Sequence, residues 1–360
     1  MSAPRLEIEL DKIQHNARFL VQRLSKVGVS VTGVTKATLG SPEIARVLLE
    51  AGVQGLGDSR IENIEGMRRE SVHASMTLLR SPMMSQGDRV VASADVSFNT
   101  EIEVIRMLSV AAKRIGKPHG VVLMVELGDL REGLLPGDLA STVRQALSLP
   151  NITLDGIGTN LACQNGVVPD ARNMAELSTL ADSVEADFGI QLGVVSGGNS
   201  ANLTWGLSGA NLGRINDLRL GESVLLGRET LAREPLAGLH TDAMTLVAEV
   251  IESKAKPSQP WGELAQTAFG EGTPRADRGE VSHAILALGR QDIDPDGLFP
   301  PKGIEILGAS SDHIVLDCGT LRLPVGSEVR FQLNYSALLR AMTSPFVAKV
   351  MRTNAASPFQ

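Results

Sequence analysis

Lys36 closes an apolar, β-branched run, "VTGVTK" at 31–36, and a small turn, "ATLG", follows it. A run of this kind reads as a buried parallel strand, which makes an ammonium at its end unusual. A lysine desolvated at a strand end can lose its proton near neutral pH and form a Schiff base with a carbonyl compound. It can equally snorkel to solvent, and residue type alone leaves both readings open. "SGGNSAN" at 196–202 and "LGES" at 220–223 supply small residues, hydroxyls and backbone N–H groups. That chemistry suits a phosphate cradle, and it also suits an ordinary tight turn. Arg131, in "GDLREG", offers a planar fork for a carboxylate, or is a solvated loop arginine.

These residues need elements to hold them. Short apolar runs alternate with helix-period segments through the first two-thirds of the chain, the pattern of repeated βα units and a parallel sheet. Eight candidate strands are readable: "VTGVTK", "VQGLGDS", "MTLLRS", "VSFNT", "GVVLMVELG", "LDGIGTN", "LGVVSGG" and "LRLG". Segments such as "SPEIARVLLEAG" and "EIEVIRMLSVAAKRIG" follow them. The expected fold is α/β, a (β/α)8 TIM-type barrel over residues 11–240, with active residues at the C-terminal strand ends. Past His240 the runs lengthen into β-like segments, so residues 241–360 are expected to form a mostly β domain joined by residues 1–10. "RLEIEL" alternates like an edge strand and leaves Asp11 as the N-cap of the first helix.

Composition narrows the chemistry. The net charge is −7 with both signs interspersed, which argues against nucleic acid and against a polybasic membrane anchor. No window approaches the ~20 apolar residues of a membrane span, and the opening residues lack a secretory pattern. Cys163 and Cys318 belong to no CxxC or Cys/His array, so no metal site or disulfide framework is signalled. A cytoplasmic protein acting on a small molecule is expected.

Several motifs together carry a resemblance. "VTKA", "ELGDLREG", "SGGNSANL" and "LRLGESVLLGRET" resemble the pyridoxal-phosphate motifs of fold type III enzymes, the alanine racemase group. "GDSRIEN", "GIGTNLAC", "LGRQDIDPDGL", "IEILGASSDHIVLD" and "LLRAMTSPFV" extend the likeness along nearly the whole chain, with the ornithine racemase branch most similar. The resemblance implies that Lys36 carries pyridoxal 5'-phosphate through an imine. It implies that Asn199, Ser200, Gly221 and Glu222 surround the phosphate, and that Arg219 faces the pyridine nitrogen. A guanidinium cannot accept a proton, so the ring nitrogen stays unprotonated and the ring is a weaker electron sink. Arg131 matches the arginine near the ring hydroxyl and the substrate carboxylate.

The implied activity is racemisation of an amino acid, ornithine or another basic one, by two-base proton transfer. The implied assembly is a homodimer in which each second domain completes the partner's site. A decarboxylase of this fold would pair the pyridine nitrogen with a carboxylate, and a non-catalytic cofactor-binding barrel would lack the second domain. Two departures stand out. Asn160 falls where alanine racemases stack a histidine on the ring. Trp261 falls near their tyrosine base, and the chain has one tyrosine, Tyr335. With Lys36 serving one face, His313, Cys163 and Tyr335 are the candidates for the second base. Asp292, Ser311 and Asp312 are candidates for contacting the substrate, the two acids for its distal ammonium.

Overall fold

The protein is described from a computed structural model covering residues 2–270 and 276–353. The chain divides into two compact units, Asp11–Thr241, and Met1–Leu10 with Asp242–Gln360.

The chain opens with strand β1 (Arg5–Glu9) and helix α1 (Leu10–Ser25). The larger unit is a closed parallel barrel of β2 (Ser30–Val34), β3 (Gly55–Asp58), β4 (Met76–Leu78), β5 (Val96–Asn99), β6 (His119–Met124), β7 (Ile152–Gly158), β8 (Val194–Ser196) and β9 (Asp217–Leu220). All eight expected strands are present, and β9 closes on β2 through Ser30↔Asp217 to Gly33↔Leu220. Helices alternate with them: α2 (Pro42–Glu50), α3 (Ile61–Arg69), α4 (Gly87–Ser93), α5 (Ile102–Ile115), α6 (Leu139–Leu147), α7 (Ala171–Phe188), α8 (Leu203–Gly206) and α9 (Glu222–Leu226).

Local sequence explains where these elements start and stop. Ser41 caps α2 by accepting from the Ile44 N–H, with Pro42 at the first helical position. Asp170 and Asn173 form a reciprocal capping box on α7, and Gly116 ends α5 at φ 75°. Strand β6 is buried along its whole length. Val121 and Leu123 pack with Ile105, Val143 and Leu177 of the surrounding helices, while Val122 and Met124 meet Phe98 inside the barrel. A parallel strand buried on both faces must be apolar at both parities, which is why "HGVVLM" shows no alternation.

The smaller unit is an eight-stranded sheet built from β1, β10 (Met244–Pro257), β11 (Glu280–Leu286), β12 (Leu298–Phe299), β13 (Glu305–Ala309), β14 (Ile314–Asp317), β15 (Glu328–Leu333) and β16 (Ala348–Arg352), with one helix, α10 (Tyr335–Thr343). Strand β1 is not an edge: it pairs antiparallel with β10 and parallel with β16. Its two neighbours come from distant parts of the chain, Arg5 facing Val247 on one side and Ala348 on the other, which local pattern cannot register. Asp11 is not a cap either. The helix begins at Leu10 and places Asp11 in its first turn, where an anion complements the free N–H groups. Among the described residues no helix is long and apolar enough to cross a membrane.

Candidate active site at the barrel mouth

Strand β2 stops at Val34, and Lys36 opens a 3-10 turn, Lys36–Thr38, instead of ending the strand. Thr35 anchors that turn. Its N–H donates to Gly57 O at 2.9 Å and its hydroxyl to Asp58 Oδ2 at 2.7 Å. Asp58 Oδ1 accepts from the Arg60 N–H at 2.9 Å and Asn63 Nδ2 at 3.0 Å. Asp58 is fully buried and its pKa is raised by that burial, against the pull of these hydrogen bonds. It therefore ties the lysine-bearing turn to the neighbouring strand end. The Lys36 side chain is reachable by solvent, and the surrounding protein desolvates its amine. Burial lowers its pKa; Cys163 opposes that shift, Arg131 and Arg219 reinforce it, and Asp58 opposes it.

Arg219 projects into the barrel from β9 and is buried. Its Nη1 donates to Ser196 Oγ at 2.6 Å, and its Nη2 to Thr159 O at 2.9 Å and Asn160 Oδ1 at 3.1 Å. The guanidinium carbon lies 5.2 Å from the Phe98 ring centroid. Burial brings its pKa down to about 10, with Asp217 opposing the shift. Asn160 Oδ1 also accepts from Asn199 Nδ2 at 3.1 Å, whereas its own Nδ2 is buried and without a partner.

The two phosphate-type loops meet at their hydroxyls, Ser200 Oγ and Ser223 Oγ being 3.0 Å apart. Asn199 spends its side chain on the chain itself: Nδ2 donates to Leu161 O at 2.9 Å and Oδ1 accepts from the Ala201 N–H at 2.8 Å. Gly198 has φ 146°, and a Cβ there would lie 2.0 Å from Asn202 Oδ1. Glu222 directs its carboxylate at Arg233, so its contribution to a cradle is its backbone N–H at the start of α9, as expected for helix openings.

Arg131 lies in the loop after β6, where Nη1 sits 2.7 Å from Cys163 Sγ and Glu132 pairs with Nε and Nη2. Asp129 holds the two loops together. Its carboxylate accepts from the N–H groups of Cys163 (3.1 Å), Gln164 (2.8 Å), Asn165 (3.2 Å) and Val167 (3.2 Å). Leu39, Leu130 and Ala162 have φ of 53°, 51° and 50°, values that non-glycine residues rarely adopt. Each lies in a loop at the C-terminal strand ends, where stored strain commonly accompanies function.

The barrel thus brings Lys36, Arg131, Asn160, Cys163, Asn199 and Arg219 to one end. Asp58, Asp129, Ser196 and Asp217 are part of the same construction and were not foreseen. Asp217 did have a signal, a lone acid two residues from Arg219 in a strand and so on the same face. The remaining candidates lie in the other unit. His313 Nδ1 is 2.9 Å from Asp312 Oδ1, in an exposed turn that also contains Ser311. Asp292 is buried and accepts from Ser344 Oγ at 2.7 Å, so it ties its loop to the residue that ends α10. Tyr335 starts α10, and Trp261 is 82% exposed. A cavity of about 500 Å³ in this unit is lined by Arg290, Asp294, Ser311, Ser336 and Arg340, without a lysine. The amine that stands with Arg131 and Arg219 is Lys36, in the barrel. Among the described residues no His, Cys, Asp and Glu cluster could hold a metal ion.

Fold and site define a lysine-centred (β/α)8 barrel accompanied by a β-rich unit. Residues 8–228 match the family model for the alanine racemase N-terminal domain. The chain is 37% identical to ornithine racemase from Acetoanaerobium sticklandii, over 96% of this chain and 99% of that protein. It is 39% identical to lysine racemase from Thermotoga maritima, over 97% and 99%. The alanine racemase structure from the D-cycloserine producer Streptomyces lavendulae superposes with a TM-score of 0.77, at 19% identity and 98% coverage of both chains. The chain belongs to the alanine racemase family.

Proposed function

We propose that this protein racemises a basic amino acid, of the ornithine and lysine class, with pyridoxal 5'-phosphate held by Lys36. The observation that carries this reading is the pairing, at one barrel end, of a lysine with depressed proton affinity and a buried arginine beside an unpartnered amide. Asn160 Nδ2 is a buried donor awaiting an acceptor, and the Ser200 and Ser223 hydroxyls with the N–H groups opening their turns suit a phosphate. The residues present fit the cofactor. When bound, it withdraws electrons from the substrate Cα and so acidifies the Cα–H bond.

The chain supplies the rest. Lys36, whose proton affinity burial lowers, accepts and returns a proton at Nζ on one face of Cα. Arg219 holds its protons and offers only donors, which limits the electron sink and favours short-lived carbanions. Arg131 has the fork for a substrate carboxylate, for which Glu132 stands in. On the opposite face Cys163 is the base that the barrel supports, sharing its loop pair with Arg131. A second reading assigns that role to His313, because the Asp312 carboxylate at Nδ1 is the arrangement that orients a histidine base. For the distal ammonium Asp312 remains the candidate, since Asp292 is occupied by Ser344.

The basic substrate is supported by the two near-full-length relatives, named for ornithine and lysine. A homodimer is supported by apolar side chains around the barrel mouth: Leu130 is 72% exposed, Leu135 60% and Val168 54%. Both cysteines are free thiols, in keeping with a cytoplasmic setting. Incubation with single enantiomers of ornithine, lysine and alanine, followed by optical rotation, tests the reaction and the substrate together. The signal should decay to zero for a basic amino acid. In deuterated solvent Cys163→Ala should exchange Cα–H in one enantiomer only, and equal exchange in both removes Cys163 from the role.

A further inference from the structure

Strand β9 places Asp217 and Arg219 on the same inward face, and the last residue of β8 sits between them. Ser196 Oγ accepts from Arg219 Nη1 at 2.6 Å and donates to Asp217 Oδ2. Thr32, on β2, donates to Asp217 Oδ1 at 2.7 Å. Asp217 and Arg219 are each 5% exposed and Ser196 is 0% exposed, so water does not substitute for these bonds. We propose that Asp217 is a positioning residue for Arg219, acting through the Ser196 hydroxyl to fix the plane of the guanidinium that faces the cofactor ring.

The polarity of the chain makes the argument. Arginine only donates and an ionised carboxylate only accepts, so the hydroxyl between them has one orientation: its hydrogen toward Asp217, its lone pairs toward Arg219. With Ser196 locked, Nη1 has a fixed acceptor. Thr159 O and Asn160 Oδ1 fix Nη2, and Phe98 lies against the face. The charges around the guanidinium are unequal: Asp217 and Glu132 support it, while Arg131 opposes it. Asp217 is the stronger of the two supports and the one in line with the bond. Ser196 and Thr32 use different oxygens of Asp217, and an asparagine here keeps one of them and turns an N–H donor toward the other partner. The serine would then lose its direction, and the arginine its fixed plane. Burying a serine and an aspartate in the barrel, with half-buried Thr32 beside them, is costly compared with the apolar filling of such barrels, which is reason to look for a task.

The test rests on the reading that Arg219 faces the ring, and its arms separate that reading from this proposal. Induced circular dichroism of pyridoxal 5'-phosphate in the holoenzyme reports the asymmetry of its surroundings, independently of turnover. It is compared in wild type, D217N, S196A, R219Q and the D217N/R219Q double variant, alongside steady-state kinetics. R219Q should change the cofactor band. D217N and S196A should shift it in the same direction, with kcat lowered about tenfold and KM within about twofold, and D217N should add nothing once Arg219 is gone. Unchanged bands in D217N and S196A beside a changed R219Q band overturn the proposal, as does an equal D217N effect with and without Arg219. A wild-type band in R219Q overturns the placement of Arg219 against the ring instead. Should D217N fail to fold, S196A decides alone, because it removes the bridge and keeps the charge.

Discussion

Two groups of charges in this molecule are each built around fully buried members and are organised in opposite ways. In the β-rich unit Glu7 is fully covered, with Oε1 accepting from Arg5 Nε at 2.8 Å and Arg352 Nη2 at 2.6 Å, and Oε2 from Arg330. Arg5 is in turn held by both oxygens of Glu328, at 2.6 and 2.7 Å. Burial would raise the Glu7 pKa, but Arg330 and Arg5 hold it below the ordinary carboxylate range. At the barrel mouth the same physics leaves the opposite signs. Lys36 and Arg219 are pushed down and Asp58 and Asp217 up, all chiefly by burial, and Asn160 Nδ2 has no partner. A carboxylate saturated by three arginines has nothing left to offer a ligand. A site with unspent donors and displaced proton affinities has been shaped for one.

The sharpest way to break this contrast is Lys36→Ala. Racemisation should fall by at least about 10³-fold and the cofactor's visible absorption band should vanish, because no other amine is placed to bind it covalently. Retained turnover would show that the open cluster is not the catalytic one. Glu7→Ala probes the closed cluster. It should cost about 2–3 kcal/mol in chemical denaturation, less than the ~3–5 of a fully buried pair because the arginines can be rehydrated. Arg330 and Arg352 are already about half exposed, which is the reason for that discount. Turnover per folded molecule should be retained; a loss matching that of Lys36→Ala would erase the distinction.

Asp129→Asn lies between the two in character, since Asp129 is a saturated acceptor that serves the open site. Replacing one acceptor oxygen by a donor should cost about 1–2 kcal/mol, and it should weaken turnover by loosening Arg131 and Cys163. Stability lost without any change in kcat would reassign Asp129 to the fold alone. Proton linkage offers the finest comparison. The depressed pKa of Lys36 makes its amine neutral at lower pH, so capture of pyridoxal 5'-phosphate by the apoprotein should rise with pH and reach its midpoint below the ordinary 10.5. Glu7 has the opposite sense, its folded pKa lying below the ordinary 4.5. Its stabilisation is complete above the unfolded value and is lost as pH falls through the folded one. Glu7→Gln should therefore flatten the acid limb of the stability curve, and a steeper limb would contradict the assignment.

How much of this was legible before folding depends on the distance over which each feature is decided. The eight barrel strands were readable because each is a short apolar run set apart by a helix of different period, and "SPEIARVLLE" carries its own cap. Lys36 and the "GGNS" and "LGES" loops were readable because unusual residue types stand at strand ends. Strand β1 has the local pattern of an edge, but its second neighbour, β16, comes from the other end of the described chain. Nothing in the residues around Asp292 distinguishes an open acid from an occupied one, and only its contact with Ser344 shows it to be occupied.

The sequence by itself determined the period of the elements, and with it the barrel, the β-rich companion and the strand end from which each reactive group projects. These follow from side-chain size, hydropathy and turn chemistry over a few residues. Only the tertiary structure decided which polar groups end as partners. Asp58 reaches Thr35, Asp129 collects four N–H groups from a loop beyond the next helix, and Ser196 comes between Asp217 and Arg219. Hydrogen-bond directions and burial are properties of packed neighbours, and closing the barrel is the step that removes the water which would otherwise satisfy those groups.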